Sequence, residues 1–330
     1  MLDFCHAPRT SPFKSDTLNT PHKIRLLKTN IERVVKGKSQ VIEWAIVCLL
    51  ARGHLLIEDV PGVGKTTLAH ALARSVDCSF KRIQFTSDLL PSDILGISVF
   101  NRQKQAFEFL QGPIFANIVL ADEINRTTPK TQSSLLEAMN EAQVSMDNET
   151  RTLPLPFMVI ATQNPAEHHG TFPLPESQLD RFLMKIRIGY PDRAAEKEVL
   201  DRPAMLHPAE ELEPVLTGQD VLELQHGAEK VRLDDSLLEY LLTIVSLTRR
   251  SQFLSLGVST RGAGALSRAA KALAFSRERH YCIPDDIKEL VPIVLPHRVT
   301  LKVTQGLRNH RPDEAEQVIR DIVESVPVPL

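Results

Sequence analysis

Short apolar runs alternate with segments of helical periodicity through the first part of the chain. The runs are rich in Val, Ile, Leu and Phe, a composition typical of strands covered on both faces. Five strands are predicted, at residues 54–58, 80–85, 118–122, 157–162 and 184–188, with helices at 66–76 and 130–142 between them. This alternation predicts an α/β fold with a five-stranded parallel sheet between helices.

The pattern changes on both sides of this region. Residues 1–22 are polar and aperiodic and predict a flexible tail. Helical patterns occupy 24–35 and 40–51, and after residue 191 the strand-like runs stop. Further helices are predicted at 194–201, 220–230, 235–250, 262–277, 284–295 and 313–325. We therefore expect an α/β core at 23–191 and an all-helical domain at 192–330.

One connection is unusually long for a compact domain. Residues 86–117 separate the second and third predicted strands and contain a possible hairpin, 97–100 with 106–110. Long connections inside compact domains are usually functional, so we expect this insert to have a functional role.

Composition narrows the class of protein. The 330 residues are 42% hydrophobic and 24% charged, values ordinary for a globular chain of about two domains. The net charge is −2 and the pI about 6.6, so no global basic field points to a nucleic acid partner, although a local patch stays possible.

The cysteines and apolar runs bear on location. Four cysteines are scattered without a CxxC pair, which indicates a reducing compartment, and Cys48 and Cys78 are expected to be buried thiols. The first residues lack the apolar stretch of a signal peptide. The most apolar run, 46–51, is far below the roughly 18 residues of a membrane span. We expect a cytoplasmic protein without a membrane span.

The strongest chemical signal follows the first strand. A glycine-rich turn ends in Gly64-Lys65-Thr66 and leads into a helix, the layout of a phosphate-binding P-loop. Lys65 would reach the β- and γ-phosphates, and Thr66 would offer its hydroxyl to Mg²⁺. The full pattern has Gly where this chain has Asp59. The predicted nucleotide-binding residues are Pro61, Gly62, Val63, Gly64, Lys65, Thr66 and Thr67.

Two acids follow the third predicted strand. Asp122 and Glu123 would lie at the carboxyl edge of the sheet beside the P-loop, where Asp122 would hold Mg²⁺ and Glu123 would activate water as general base. A strand that simply ends in a charged loop is the alternative. The position of the pair after the P-loop, within an alternating pattern, favours the chemical interpretation.

Three further polar residues complete the candidate site. Asn164 ends the fourth strand and could bind water or phosphate, the alternative being an Asn-Pro turn. Arg181 precedes the last strand and could stabilise a transferring phosphoryl group, the alternative being a surface salt bridge with Asp180. Arg261 lies in the first turn of a predicted helix, where a cation opposes the macrodipole, which suggests an anionic ligand.

In this order the motifs resemble the MoxR family of AAA+ ATPases over roughly residues 31–300. The segment 53–66 resembles the Walker A motif of the family, in which the first glycine is often replaced. The segment 118–123 resembles Walker B, 161–165 sensor 1, 176–182 the arginine-finger segment and 259–261 sensor 2. The insert 86–117 resembles a helix-2 insert, and 147–152 resembles a pre-sensor loop.

The resemblance implies an ATPase with ATP and Mg²⁺ between an α/β domain and a helical lid. Lys65 would hold phosphates, Thr66 and Asp122 Mg²⁺, and Glu123 and Asn164 the water. Arg261 would act from the lid and Arg181 on the neighbouring subunit of a homo-oligomer, usually a hexameric ring. Family members act as chaperones in maturation, assembly or cofactor insertion, often with a von Willebrand factor A domain partner, and the client here stays unknown.

Other classes are weaker. A GTPase would need an Asn-Lys-x-Asp stretch that the chain lacks, and a dinucleotide enzyme would need a third glycine. A nucleic-acid remodelling AAA+ motor or loader is the main alternative function, and a non-hydrolysing ATP switch is the next. The adjacent pair His168-His169 is not expected to bind metal.

Overall fold

A computed structural model describes residues 20–146, 149–165, 171–200, 208–302 and 312–329. Most of the predicted tail lies outside these ranges, but its last residues, 20–22, are helical instead of flexible. The helices are α1 Thr20–Glu32, α2 Ser39–Leu50, α3 Lys65–Ser75, α4 Pro91–Leu95, α5 Pro129–Glu141, α6 Glu176–Leu179, α7 Arg193–Leu200, α8 Gly218–Glu229, α9 Asp235–Arg250, α10 Thr260–Ser276, α11 Pro284–Val294 and α12 Pro312–Ser325. The strands are β1 Leu55–Glu58, β2 Phe80–Gln84, β3 Gly96–Asn101, β4 Ala106–Gln111, β5 Ile118–Asp122, β6 Gln143–Met146, β7 Glu149–Thr152, β8 Met158–Gln163, β9 Met184–Ile186, β10 Leu254–Leu256 and β11 Thr300–Leu301.

The central sheet confirms the predicted five parallel strands. Their order is β2-β5-β8-β1-β9, and every neighbouring pair is parallel. The chain leaves the interior strand β1 and returns through α3 to the edge strand β2, whereas β9 flanks β1 on the other side. This change of direction opens a crevice at the carboxyl edge, where open α/β sheets bind ligands.

Alternate residues of the strands enter two hydrophobic clusters, because successive side chains point to opposite faces of a sheet. Leu55 and Ile57 belong to one cluster together with residues of α2, α3 and the helices after residue 208. Leu56 belongs to the other, together with residues of α5. The first cluster therefore joins the sheet to the helical region as one apolar interior.

Two hairpins project from the sheet domain. The predicted hairpin in the insert is confirmed, and each strand is longer than predicted, with β3 antiparallel to β4 over six residue pairs. The segment 147–152 was predicted as a loop, but Glu149–Thr152 is strand β7 and pairs with β6. The segments that form β6 and β7 are each too short to predict a strand from the sequence alone. Their pairing with each other stabilises both strands. Cζ of Arg151 in β7 lies 4.2 Å from the ring centre of Phe109 in β4, so this contact joins the two hairpins.

The region after residue 192 is helical from α7 to α12, as predicted, with one exception. Strands β10 and β11 pair antiparallel, so this region is not entirely helical. The pair joins two connecting segments that are distant in sequence, and such a contact leaves no periodic pattern in either one. The domain boundary at 191/192 stays a prediction.

Burial of the cysteines agrees in part with expectation. Cys48 is fully buried, whereas Cys78 is only partly buried, and both are free thiols. Among the helices of the described ranges, none has the length and apolar character needed to cross a bilayer.

Asp59, the residue that departs from the P-loop pattern, anchors this loop to the end of the sheet. Its Oδ1 accepts a hydrogen bond from the amide of Val60 at 2.8 Å. Its Oδ2 accepts from the amides of Ile188 and Gly189 at 2.8 and 2.6 Å. These two residues follow β9 and lead towards the helical region. The departure from glycine therefore has a structural role.

We expect Asp59→Asn to weaken this anchor, because an amide supplies one acceptor oxygen where the carboxylate supplies two. The cost is about 2 kcal/mol, as for hydrogen bonds to a charged group. For a domain of this size it corresponds to a fall of roughly 4–8 °C in melting temperature. Thermal unfolding followed by circular dichroism measures it, with Glu239→Gln on the exposed face of α9 as control. An unchanged melting temperature would show that the anchor contributes nothing.

Candidate nucleotide-binding site

The P-loop takes the backbone conformation that its glycines permit. Gly62 and Gly64 have φ values of 86° and 92°, in the left-handed region that other residues rarely adopt. Gly64 is the N-cap of α3, so the first-turn amides of this helix and the positive end of its dipole face the loop. Pro61 and Gly62 are exposed, while Val63 is buried beneath the turn. The loop is thus a preformed anion site at the amino end of a helix.

Lys65 begins α3 and is half-buried. Its ammonium donates a 2.5 Å hydrogen bond to the backbone carbonyl of Asp59. Burial lowers the pKa of Lys65, while the charges of Asp59, Asp122 and Glu123 act in the opposite sense. These three carboxylates are therefore close enough to act on Lys65 electrostatically. The structure brings the predicted Lys65, Asp122 and Glu123 to one place.

Asp122 is the last residue of β5, and both of its carboxylate oxygens accept hydrogen bonds. Oδ1 accepts from the hydroxyl of Thr162 at 2.6 Å. Oδ2 accepts from Nε and Nη2 of Arg82 at 3.1 and 2.5 Å. Thr162 and Arg82 come from the two strands on either side of β5. The carboxylate is consequently fixed in orientation from both sides.

Glu123 follows at once and has an unusual backbone. Its φ is 59°, and its amide donates to the hydroxyl of Thr162 at 2.9 Å. The side-chain Oε2 accepts from Nε2 of Gln84 at 2.8 Å and lies 3.2 Å from Nε of Arg126. A left-handed glutamate is strained, which is common at functional sites. Thr162 thus orients both acids, and Gln84 with Arg126 holds the carboxylate of Glu123.

Asn164 lies where the sequence predicted it, just beyond the end of β8. It is buried, and the carbonyl of the preceding Gln163 accepts from the amide of Asp59. Because β8 lies between β1 and β5, Asn164 follows the strand between those that carry the P-loop and the paired acids. Thr66 and Thr67, in the first turn of α3, are half-buried.

Within the described ranges, the Arg181 side chain makes no hydrogen bond to these residues and contacts α5 instead. Its Nη1 donates a 2.5 Å hydrogen bond to the carbonyl of Leu136 in α5, and its buried Nε has no hydrogen-bond partner within the described ranges. The alternative of a salt bridge with Asp180 is wrong, because Asp180 pairs with Arg298. The Arg181 side chain is therefore held on α5 by this hydrogen bond.

Arg261 lies in the first turn of α10 and is exposed. Its side chain makes no hydrogen bond or ion pair with any residue that the structure describes. Arg268 follows two turns later on the same helix, and burial together with the charge of Arg261 lowers the pKa of Arg268. Among the described residues neither Arg261 nor Arg268 has an acidic partner, so this face of α10 stays a candidate for binding an anion.

Several residues of the site were missed from the sequence: Arg82, Gln84, Arg126 and Thr162. Arg82 and Gln84 are polar residues two apart on a predicted strand, which is a weak signal for a shared face. Their role depends on β2 lying beside β5, with Gln84 opposite Asp122. Strand order is a tertiary property, so the sequence pattern could not supply it.

A metal site of another kind is absent from the described residues, which contain no cluster of three or more His, Cys, Asp or Glu able to hold an ion. The pair His168-His169 lies outside the described ranges. Hydroxyl and carboxylate oxygens are present at Thr66 and Asp122, and such oxygens are the ligands that Mg²⁺ prefers.

Comparisons with known proteins agree with this fold. Residues 54–184 match the family described as "ATPase family associated with various cellular activities (AAA)", and residues 246–322 match the AAA lid domain. The uncharacterized protein YeaC of Bacillus subtilis is 51% identical over 91% of this chain and 93% of its own length. Chaperone MoxR1 of Mycobacterium tuberculosis is 39% identical over 93% of this chain and 83% of its own.

A solved structure shows the same arrangement. The crystal structure of a candidate ATPase from Cytophaga hutchinsonii superimposes with a TM-score of 0.86 and 39% sequence identity, covering 94% of this chain and 96% of that one. The shared fold, the match to the AAA lid domain and relatives that are 39% and 51% identical all point to the same family. The chain belongs to the MoxR family of AAA+ ATPases, and it is an ATPase.

Proposed function

We propose that this ATPase forms a ring and uses ATP hydrolysis at the P-loop to act, as a chaperone, on partner protein complexes during their maturation or assembly. One observation carries the proposal: the P-loop with Lys65 and the pair Asp122 and Glu123 lie at the carboxyl ends of β1 and β5 in one parallel sheet, whereas Arg181 donates its hydrogen bond to the carbonyl of Leu136 in α5. A site that contains an acid pair but lacks its own arginine finger suits catalysis between subunits.

Phosphate binding falls to the P-loop. The amides of the first turn of α3 and the ammonium of Lys65 supply the positive charge, and Lys65 exchanges the Asp59 carbonyl for a phosphate oxygen when nucleotide binds. The remaining predicted contacts, from Pro61 to Gly64 and at Thr67, surround the same anion. Arg261, which is unpaired within the described ranges, would add a cation from the helical region.

Mg²⁺ fits the oxygen donors present. Thr66 makes no side-chain hydrogen bond with any residue that the structure describes, and Asp122 Oδ1 accepts only one. When bound there, Mg²⁺ would neutralise charge on the phosphates. Thr162 and Arg82 hold the Asp122 carboxylate in place, which would limit its motion when Mg²⁺ binds.

Water activation falls to Glu123, with Asn164 as a second contact. The Glu123 carboxylate accepts from Gln84 and contacts Arg126, and these contacts limit its motion beside the P-loop. A general base must be held within hydrogen-bond reach of the water that it deprotonates. Asn164 is buried at the adjacent strand end and would orient that water.

Assembly would supply the missing arginine. Arg181 leaves the Leu136 carbonyl by losing one hydrogen bond, and it would then reach the γ-phosphate in the next subunit. Contacts of this head-to-tail kind close into rings, and the family resemblance points to a hexamer. Hydrolysis would then depend on assembly.

Client contact would involve the β3–β4 hairpin. Phe107 and Phe100 are 73% and 50% exposed, and their ring centres lie 5.3 Å apart. Exposed paired aromatics mark interaction surfaces on soluble domains. The family resemblance adds a von Willebrand factor A domain partner. A nucleic-acid motor stays the alternative, which salt-dependent binding of DNA or RNA would reveal.

Glu123→Gln should bind ATP but fail to turn it over. An amide cannot accept the proton of the attacking water, and loss of a general base costs about 10²–10⁴-fold in rate. Phosphate release measures turnover, and a fluorescent ATP analogue measures affinity. We expect the affinity to stay within about threefold of the unmodified protein, because the substitution leaves the contacts that bind ATP in the ground state unchanged. Glu239→Gln, the same change on exposed α9, is the control. Turnover close to that of the unmodified protein would exclude Glu123 as base.

Arg181→Ala alone should also lose turnover, and mixing it with Glu123→Gln should restore part of it. In randomly mixed rings about a quarter of the interfaces pair an intact Glu123 with an intact Arg181 from the neighbour. Steady-state phosphate release from mixed and separate samples makes the comparison. A fully active Arg181→Ala protein would rule out a role across the interface.

Phe107→Ser in the Glu123→Gln background should reduce client capture while nucleotide affinity is retained. Large exposed aromatics dominate contact energy at interfaces, so we expect about a tenfold reduction in captured protein. Quantitative mass spectrometry of pull-downs measures it. Phe253→Ser, a similarly exposed aromatic 59% accessible near β10, is the control. Equal capture by both variants would contradict the proposal.

A further inference from the structure

A partly buried ion pair joins the segment that carries Arg181 to the helical region. Nε of Arg298 lies 2.9 Å from Oδ1 of Asp180, and the Arg298 side chain is 2% exposed. Burial lowers the pKa of Arg298 to about 10, and Asp180 opposes this shift, so the guanidinium stays charged at neutral pH. A buried cation of this kind depends strongly on its partner.

Arg298 also holds the backbone on the other side of Arg181. Its Nη2 donates to the carbonyl of Phe182 at 2.6 Å, and its Nη1 donates to the carbonyl of Leu183 at 3.3 Å. Arg181 lies between Asp180 and Phe182 in sequence. The Arg298 guanidinium, which follows α11, therefore contacts the chain both before and after Arg181.

The second oxygen of Asp180 contacts a different part of the helical region. Ser259 donates from Oγ to Oδ2 of Asp180 at 3.0 Å. The same Oγ accepts from the amide of Gly262, which makes Ser259 the N-cap of α10. Arg261 is two residues further along the first turn. A single carboxylate thus joins the base of Arg181 to the helix end that presents Arg261.

Arg181 is held lightly by comparison. Its one described side-chain hydrogen bond goes to the carbonyl of Leu136, and its Nε is buried without a partner within the described ranges. The contacts with Arg298 are made instead by the two residues beside it in sequence, Asp180 and Phe182. A shift of α10 or of Arg298 would therefore move the backbone from which Arg181 projects.

We propose that Asp180 is a positioning residue that links the nucleotide state of one subunit to the arginine that this subunit presents to its neighbour. Engagement of Arg261 with nucleotide shifts the start of α10, and Ser259, Asp180 and Arg298 pass this shift to Arg181. The inference rests on the proposed action of Arg181 across the interface. The coupling needs only that the two lid positions differ in these contacts.

The test places Asp180→Asn in a chosen subunit of mixed rings. The reference mixture is Glu123→Gln, which supplies Arg181, with Arg181→Ala, which supplies Glu123. Asp180→Asn is then added to one partner or to the other. We expect about a tenfold loss of phosphate release when it is in the Glu123→Gln partner, as for a misplaced catalytic group. In the Arg181→Ala partner the loss should be at least about threefold smaller, since that chain has no finger to position.

A purely structural role would reduce activity equally in both placements, and that result overturns the proposal. Failure of the reference mixture to recover activity would instead overturn the action of Arg181 across the interface, and this inference with it. Asp235→Asn, an exposed acid at the start of α9, is the matched control for both placements. Melting temperature and affinity for a fluorescent ATP analogue report on folding.

Ser259→Asp covers the case in which Asp180→Asn fails to fold. Aspartate is a good N-cap, so α10 keeps its start, but its charge repels Asp180 where serine donated a hydrogen bond. We expect the same dependence on placement. Equal losses in both placements with this variant would overturn the proposal as well.

Discussion

All five strands of the sheet run in the same direction, and the site depends on this constraint. Parallel strands deliver their last residues to one edge, so segments that are far apart in sequence end side by side. The P-loop follows β1, the acid pair follows β5, and Asn164 follows β8, which lies between them. The three inner strands β1, β5 and β8 are almost fully buried, so they cannot slip in register without exposing apolar side chains.

Polar contacts between strand ends give this edge its chemical order. Thr162 contacts both acids, Arg82 fixes Asp122, and Gln84 contacts Glu123. The contacting residues come from β2 and β8, which flank β5 on its two sides. An acid pair on an isolated strand would be mobile and hydrated. Here the neighbouring strands hold each carboxylate, which is the preorganisation that catalysis by charge and proton transfer requires.

Two further carboxylates tie down segments at the end of the sheet, and one of them, Asp180, also connects to the helical region. Asp59 binds the amides that follow β9, and Asp180 binds Ser259 and Arg298. Both are adjacent to functional segments, the P-loop in one case and Arg181 in the other. The shared apolar cluster holds the two regions together, and these directional contacts set where they meet.

The sequence by itself determined the local parts: the strands from their apolar runs, the P-loop from glycine spacing, and the acid pair from its place at a strand end. These follow from short-range periodicity and backbone conformation, which neighbouring residues encode. The sequence did not determine which residues these side chains contact. Asp59 looked like a flaw in the P-loop, and Asp180 like a partner for Arg181. Only the tertiary structure assigned Asp59 to the amides after β9 and Asp180 to Arg298, because strand order and helix docking bring together residues that no local pattern relates.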